Sequence, residues 1–174
     1  MVRSMVGRDL TNRYPEKTAE IGDVIFEVEN WSAFHPQDRD KKVVKDVSLN
    51  VKAGEVVGIA GLMGSGRTEL ALSIFGKMYG SGVEGKIKLH GNEIDTSTVV
   101  KAIDSGLAYV TEDRKEQGLV LIDTVNKNIS LTSLDKVSKN GVKNENEEVI
   151  SSEKYREMLN IRLHSIHQDV ESLS

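Results

Sequence analysis

The stretch GLMGSGRT, residues 61–68, lies between the apolar run EVVGIA and the helix-like segment TELALSIFG. Its three glycines, Gly61, Gly64 and Gly66, allow the backbone to curl so that successive N–H groups point inward at an anion. A helix starting near Arg67 adds the positive end of its dipole at the same place. A strand, a glycine-rich loop and an amphipathic helix in this order predict a phosphate-binding loop in an α/β domain. The alternative is a glycine-rich turn that serves packing only.

The candidate nucleotide-binding residues of this loop are contiguous: Gly61, Leu62, Met63, Gly64, Ser65, Gly66, Arg67, Thr68 and Glu69. The Thr68 hydroxyl is of the kind that coordinates Mg²⁺ between the β and γ phosphates. Arg67 stands where the loop pattern has lysine, and its guanidinium is planar and donates in a fixed fork. Phosphate binding tolerates this change better than transition-state positioning does. The loop is therefore predicted to bind nucleotide rather than to hydrolyse it efficiently.

Composition limits the classes of protein to which the chain can belong. It has 174 residues, a formal net charge of −4 and no cysteine. This length suffices for one ordinary domain with a buried core. Nucleic acid is not an expected partner because no large basic surface is available to neutralise a phosphate backbone. The lack of cysteine excludes disulfides and thiolate metal sites, and no apolar segment approaches the roughly 20 residues needed to cross a bilayer.

Hydrophobic periodicity predicts the elements around the loop. Alternation at residues 24–30 and 47–51 predicts two antiparallel strands, joined by a charged and exposed connection over residues 32–42. The apolar runs at residues 56–60 and 107–110 lack alternation, which is typical of central strands covered on both faces. The remaining expectations are a hairpin at 86–94 turning at Gly91-Asn92, helices at 67–75, 98–106, 123–131 and 146–160, and a polar insert at 136–148.

Five segments carry a resemblance to a known family: MVGRDLTNRYP (5–15), FHPQDRDKKVVKDVSL (34–49), AGEVVGIAGLMGSGRTEL (53–70), LAYVTEDRKEQGLV (107–120) and TVNKNISLTSL (124–134). They resemble the second ATP-binding domain of bacterial sugar-import ABC ATPases of the ribose, galactose and xylose group, the xylose type most of all. EDRKEQGLV after an apolar run is specific to that group. The resemblance implies an α/β P-loop ABC-type nucleotide-binding domain fragment, with an antiparallel β side sheet and the start of a helical subdomain.

The resemblance also implies a division of the chain. Residues 1–22 would be a linker or arm from a preceding domain, residues 23–121 a P-loop ATP-binding core with the antiparallel β subdomain, and residues 122–174 the start of the helical subdomain. Leu173-Ser174 resemble the first two letters of the LSGG signature, so we expect a fragment truncated at that motif. Such a fragment is expected to expose apolar surface, to self-associate or be partly disordered, and not to hydrolyse ATP.

Individual roles follow from the same resemblance. Residues 61–68 match the phosphate loop, and arginine in place of lysine is itself a feature of the second domain in this group. Glu112 falls where ABC ATPases usually have a glutamine that contacts Mg²⁺, and its alternative role is an exposed loop acid. Phe34 or His35 lies near the position of the aromatic residue that stacks on adenine, unless the ring only packs or is solvated. ATP and Mg²⁺ are thus the expected cofactors, with Thr68 and Glu112 as metal ligands.

The resemblance implies a peripheral protein at the cytoplasmic face of the membrane that couples nucleotide binding to sugar import. Its expected partners are the first nucleotide-binding domain of the same polypeptide, transmembrane permease subunits and, indirectly, a periplasmic or extracellular sugar-binding protein. Two other functions stay open. One is a nucleotide-free structural or interaction module within an ABC ATPase, and the other is a self-contained P-loop phosphotransferase or GTPase.

Overall fold

The computed structural model describes residues 19–173 in two compact units, the first ending at Tyr109 and the second starting at Val110. The arm predicted over residues 1–22 lies mostly outside the described residues, as does Ser174 of the predicted signature. No helix among the described residues is long and apolar enough to cross a membrane.

A four-stranded antiparallel sheet forms the larger part of the first unit. Its strands are β1 (Val24–His35), β2 (Asp38–Lys52), β3 (Val83–Leu89) and β4 (Asn92–Glu93), in the order β2-β1-β3-β4. The two strands predicted from alternation pair as expected, with Val28 opposite Leu49. The antiparallel side sheet is therefore confirmed.

The connection predicted over residues 32–42 is wrong, because β1 and β2 continue through it and leave only Pro36 and Gln37 as the turn. The pairing of Phe34 with Lys42 follows several register shifts between the two strands. Each shift moves side chains to the other face and so removes the alternation by which a strand is recognised. The charged residues 38–41 are nevertheless exposed, as predicted.

The β3–β4 hairpin confirms the one predicted at residues 86–94, with its turn one residue earlier. His90 and Gly91 are the central residues, and both have positive φ, 49° and 77°. Two left-handed residues in succession give the turn type that matches the twist of a tight hairpin.

Two helices follow the predicted pattern in the first unit: α1 (Arg67–Ile74) and α2 (Val99–Asp104). Gly76 and Gly106 lie just beyond their ends with left-handed φ of 73° and 95°, the usual conformation for stopping a helix. Leu70 of α1 packs into a core formed with residues of the sheet: Val28, Trp31, Ala33, Val44 and Ile87. This core fixes α1, and with it the phosphate loop, against β1 and β2.

The central strands predicted at residues 56–60 and 107–110 are wrong. Neither run is a strand, and Val56, Ile59 and Val110 are 77%, 53% and 91% exposed. A strand forms where neighbouring strands take up its N–H and C=O groups, and no described strand pairs with either run. Hydropathy reports that a segment is suited to burial, but it does not report whether a partner is present.

The second unit contains the helices predicted at residues 123–131 and 146–160, which the structure bounds as α3 (Val125–Ser130) and α4 (Glu145–Met158). Within the polar insert, β5 (Ser138–Lys139) and β6 (Val142–Lys143) form a small hairpin that was not predicted. Half of the buried residues of the second unit are polar. The apolar ones are Val125, Val137, Ile166 and Val170, and the polar ones are Asn126, Ser130, Glu148 and Ser152. Helices and turns thus make up most of this unit, while the subdomain boundary at residue 122 stays a prediction.

Candidate functional site

The predicted phosphate loop is an exposed curl that leads directly into α1. Gly64 and Gly66 have left-handed φ of 76° and 88°, which side chains other than glycine rarely adopt. The Ser65 N–H donates to the Leu62 carbonyl at 3.1 Å and closes a turn at the tip of the loop. The backbone therefore reverses within residues 61–66, as a loop that surrounds an anion must.

A close approach explains the glycine at the first end of the curl, whereas the left-handed φ explains the one at the second end. A Cβ on Gly61 would collide with the Ser65 hydroxyl and lie 3.6 Å from Cδ of Arg67. A Cβ on Gly66 would lie 3.4 Å from the carbonyl oxygen of Val43 in β2. The loop thus folds back on itself, with the stem of Arg67 beside Gly61, and its second end rests on the backbone of the sheet.

Gly66 is the N-cap of α1, and its carbonyl accepts the first helical bond from Leu70 N at 2.8 Å. Most helix starts have serine, threonine or aspartate here, whose side chain accepts from the first-turn N–H groups. Glycine has no such side chain, so an external anion can take that role at the positive end of the helix dipole. The geometry is that of an anion-binding helix start.

Glu69 also belongs to the first turn of α1, but its carboxylate lies near Tyr79. Burial raises the pKa of Tyr79 in the first place, and the charge on Glu69 raises it further. Of the predicted loop residues, Glu69 is thus placed to offer its backbone N–H group rather than its acidic side chain.

Phe34 lies near the end of β1, and the structure brings it to the strand pair that contacts the loop. Its partner Lys42 immediately precedes Val43, on which Gly66 rests. The Phe34 N–H donates to Gly82 O at 3.1 Å, and its carbonyl accepts from Ser81 N at 3.2 Å, so its backbone is held on both sides. This part of β1 is therefore a fixed feature beside the loop.

The Phe34 ring carries a cation on one face. Lys42 Nζ lies 5.3 Å from the ring centroid and 3.0 Å from a Glu84 carboxylate oxygen. The hydrogen bond that the Lys42 ammonium donates to the Glu84 carboxylate raises the pKa of Lys42, although desolvation opposes this shift. His35 is engaged in the turn itself, where Nδ1 accepts from Gln37 N at 3.2 Å.

Glu112 belongs to the second unit and is exposed. The neighbouring Asp113 side chain accepts from Lys115 N at 2.8 Å and Glu116 N at 3.1 Å, and so caps a helical turn over Arg114–Gly118. The segment EDRKEQG is thus an ordered, exposed turn.

The curl brings the predicted loop residues 61–69 together, and Phe34 pairs with Lys42, the residue of β2 that precedes Val43. Sequence reasoning missed Lys42, Val43 and Glu84, because it took residues 32–42 for a loop. The ion pair between Lys42 of β2 and Glu84 of β3, which crosses β1 beside Phe34, has no signal in hydropathy. No cluster of three or more histidine, aspartate or glutamate side chains fit for a metal occurs within residues 19–173.

Comparison with known proteins places this site in a family. A family profile described as ABC transporter matches residues 44–174. The L-arabinose transport ATP-binding protein AraG of Geobacillus stearothermophilus is 53% identical over 100% of this chain and 34% of its own length. The xylose import ATP-binding protein XylG of Thermoanaerobacter pseudethanolicus is 44% identical, and the ribose import ATP-binding protein RbsA of Bacillus cereus is 39% identical, again over the whole chain.

A solved structure shares the fold. It is titled "Structure of a bacterial Atm1-family ABC exporter with ATP bound", with a TM-score of 0.50 and 22% identity over 89% of this chain and 25% of that one. The chain spans about a third of the length of the transport proteins it matches. The resemblance to sugar-import ATPases is confirmed, with higher identity to the arabinose protein than to the xylose protein. From the profile match, which includes the phosphate loop and most of the chain, it follows that the chain belongs to the ABC transporter family.

Proposed function

We propose that this chain is part of the ATP-binding subunit of a sugar importer and that it binds ATP with Mg²⁺ at the phosphate loop. The observation that carries the proposal is the curl of residues 61–66 at the start of α1. Two of its glycines, Gly64 and Gly66, are left-handed, and a third, Gly61, leaves no room for a Cβ. A turn formed only for packing needs neither the reversal nor an uncapped helix start.

The residues present fit a nucleotide with its metal. Backbone N–H groups of residues 64 and 66–69 would donate to phosphate oxygens, and the Arg67 guanidinium would add a charged donor. The Thr68 hydroxyl would hold Mg²⁺ together with the phosphates, and Glu112 as a second ligand stays a prediction from the sequence. Bound there, Mg²⁺ would neutralise charge between the β and γ phosphates. Phe34 would meet the adenine ring.

Binding without efficient hydrolysis is the proposed chemistry of this loop. A displacement of about 1 Å can reduce a rate on the order of 100-fold, and the fork of Arg67 cannot copy the reach of a lysine. In the whole protein, nucleotide binding would be coupled to sugar import through a first nucleotide-binding domain and permease subunits at the cytoplasmic face of the membrane. We retain residues 23–121 as the ATP-binding core and 122–174 as the start of the helical subdomain.

The names of the relatives favour a pentose as the sugar of the whole transporter, since L-arabinose, xylose and ribose are all pentoses. Uptake of radiolabelled sugar by cells that carry the whole transporter tests this, with unlabelled pentoses and hexoses as competitors. Competition by hexoses alone would contradict it.

The nucleotide proposal is tested by calorimetric titration of the chain with ATP and Mg²⁺. We expect saturable binding that Arg67→Lys keeps and that Arg67→Ala weakens about tenfold or more, since a charge-assisted bond contributes about 1.5 to 3 kcal/mol. Arg162→Ala is the control: it removes the same charge from an exposed arginine of the second unit and should change nothing.

Two results would contradict the proposal. Lack of binding by the folded chain would favour a nucleotide-free structural module. Phosphate release that disappears with Arg67→Ala would show that the loop hydrolyses ATP by itself, as a self-contained phosphotransferase or GTPase would.

A further inference from the structure

A buried hydrogen bond joins the sheet to the helix that carries the phosphate loop. Trp31 Nε1, in β1, donates to Ser73 Oγ, in α1, at 2.9 Å, although the two residues are far apart in sequence. Trp31 is 4% exposed and Ser73 is fully buried. The Ser73 hydroxyl in turn donates to the Leu70 carbonyl at 2.9 Å, one turn earlier in α1. Both polar groups are thereby satisfied inside an apolar core.

This bond has a directional role that the apolar contacts of α1 lack. Leu70, at 6% exposed, and Ser73, at 0%, are the buried residues of this eight-residue helix. The contact of Leu70 is non-directional and tolerates rotation and sliding of the helix. The bond from the indole requires one donor direction and one distance, so it fixes the rotation of α1 and its register along β1.

Any such movement of α1 reaches the phosphate loop. Arg67, at the start of the helix, is six residues from Ser73, or about 9 Å along a rigid helix axis. The N–H groups proposed to bind phosphate belong to the first turn of the same helix. At this end of α1, Gly66 packs against the Val43 carbonyl. The loop is thus held at two places, by backbone packing at Gly66 and by the indole bond at Ser73.

We propose that Trp31 and Ser73 are a positioning pair for the phosphate loop: their hydrogen bond aims the N–H groups at the start of α1 toward the nucleotide phosphates. This inference rests on the proposed binding of ATP at residues 61–68. It also makes Trp31, the only tryptophan of the chain, a reporter of nucleotide binding.

The test is a double-mutant cycle with Ser73→Ala, Trp31→Phe and the double variant. Mg-ATP affinity is measured by calorimetry, and thermal unfolding is followed by circular dichroism. Ser73→Ala leaves the indole N–H unsatisfied, whereas Trp31→Phe keeps a ring and leaves the Ser73–Leu70 bond intact. We expect each single change to weaken ATP binding about three- to tenfold. The double change should weaken it by less than the product of the two single factors, because both changes remove the same bond. Ser73→Cys, which keeps a weak acceptor, should restore part of the affinity.

The emission of Trp31 gives a readout that a merely structural bond would not move. In the unaltered chain it should change as ATP saturates the site, and in Ser73→Ala this response should be lost or reduced at saturating ATP. The positioning role would be overturned if the folded Ser73 and Trp31 variants bound ATP as tightly as the parent chain while Arg67→Ala bound it more weakly. The proposed function would still stand in that case. Failure of the parent chain itself to bind ATP would overturn both.

Discussion

Gly64 allows the effect of a substitution on ATP binding to be distinguished from its effect on stability. Its φ is 76°, and a Cβ there would meet no atom within 4 Å. Gly91, in the turn of the β3–β4 hairpin, has the same properties with φ of 77°. Alanine at either position adds strain without a clash, at about 1 kcal/mol.

We therefore expect Gly64→Ala and Gly91→Ala to lower the free energy of unfolding by similar amounts, as measured by urea denaturation. Only Gly64→Ala should also weaken ATP binding, because the reversal of the loop depends on that residue. Equal ATP affinity in the two variants would argue against an anion held within the curl.

Glu148 is the buried charge of the second unit, 3% exposed. Its carboxylate accepts from Lys143 Nζ at 2.7 Å, Ser130 Oγ at 2.7 Å and Asn126 Nδ2 at 3.0 Å, and so joins β6, α3 and α4. Burial, the largest influence, raises its pKa, but these bonds together hold the pKa below the usual 4.5. A carboxylate whose pKa is lowered on folding stabilises the fold above its unfolded pKa, and this contribution is lost as pH falls through the folded pKa.

Acid should therefore loosen this unit through Glu148. We expect amide protons of α3 to exchange faster as pH is lowered below about 4.5, after correction for intrinsic exchange rates, and Glu148→Gln to exchange faster already at pH 7. The loss in the variant should be about 2 kcal/mol, since three bonds to a buried charge are changed. Glu147→Gln, at an exposed position of the same helix, is the control and should behave like the parent chain.

At the scale of elements, local chemistry was predictable and long-range pairing was not. The curl, α1 and its terminating Gly76 follow from a glycine pattern and a helical period, which are both short-range. The Asn140-Gly141 turn, with left-handed φ of 53° and 77°, was equally readable but was overlooked within a polar insert. By contrast, the long β1–β2 hairpin contains register shifts, so its alternation breaks in the segment that carries Phe34 and Lys42. For this reason Lys42, beside the Phe34 ring, was not predicted, whereas Phe34 itself was predicted from the family resemblance.

At the scale of the whole molecule, burial depends on partners that periodicity does not reveal. The run at residues 56–60 has the composition of a covered strand and yet is exposed. It continues into two further exposed apolar side chains at the tip of the phosphate loop, Leu62 at 86% and Met63 at 97%. Contiguous apolar surface of this kind marks a contact with another chain or a tendency to aggregate. We therefore expect this chain to self-associate through residues 56–63.

Sedimentation velocity tests this expectation. The sedimentation coefficient of the chain should rise with protein concentration, and the double change Val56→Lys and Ile59→Lys should abolish the rise, because two charges oppose transfer of the segment from water. Val142→Lys is the matched control, since Val142 is 71% exposed, close to the 77% of Val56, but lies in the β5–β6 hairpin of the second unit. If the control suppressed association as strongly, a general charge effect would be responsible. If the parent chain sedimented as a monomer at every concentration, this segment would not act as a contact surface between copies.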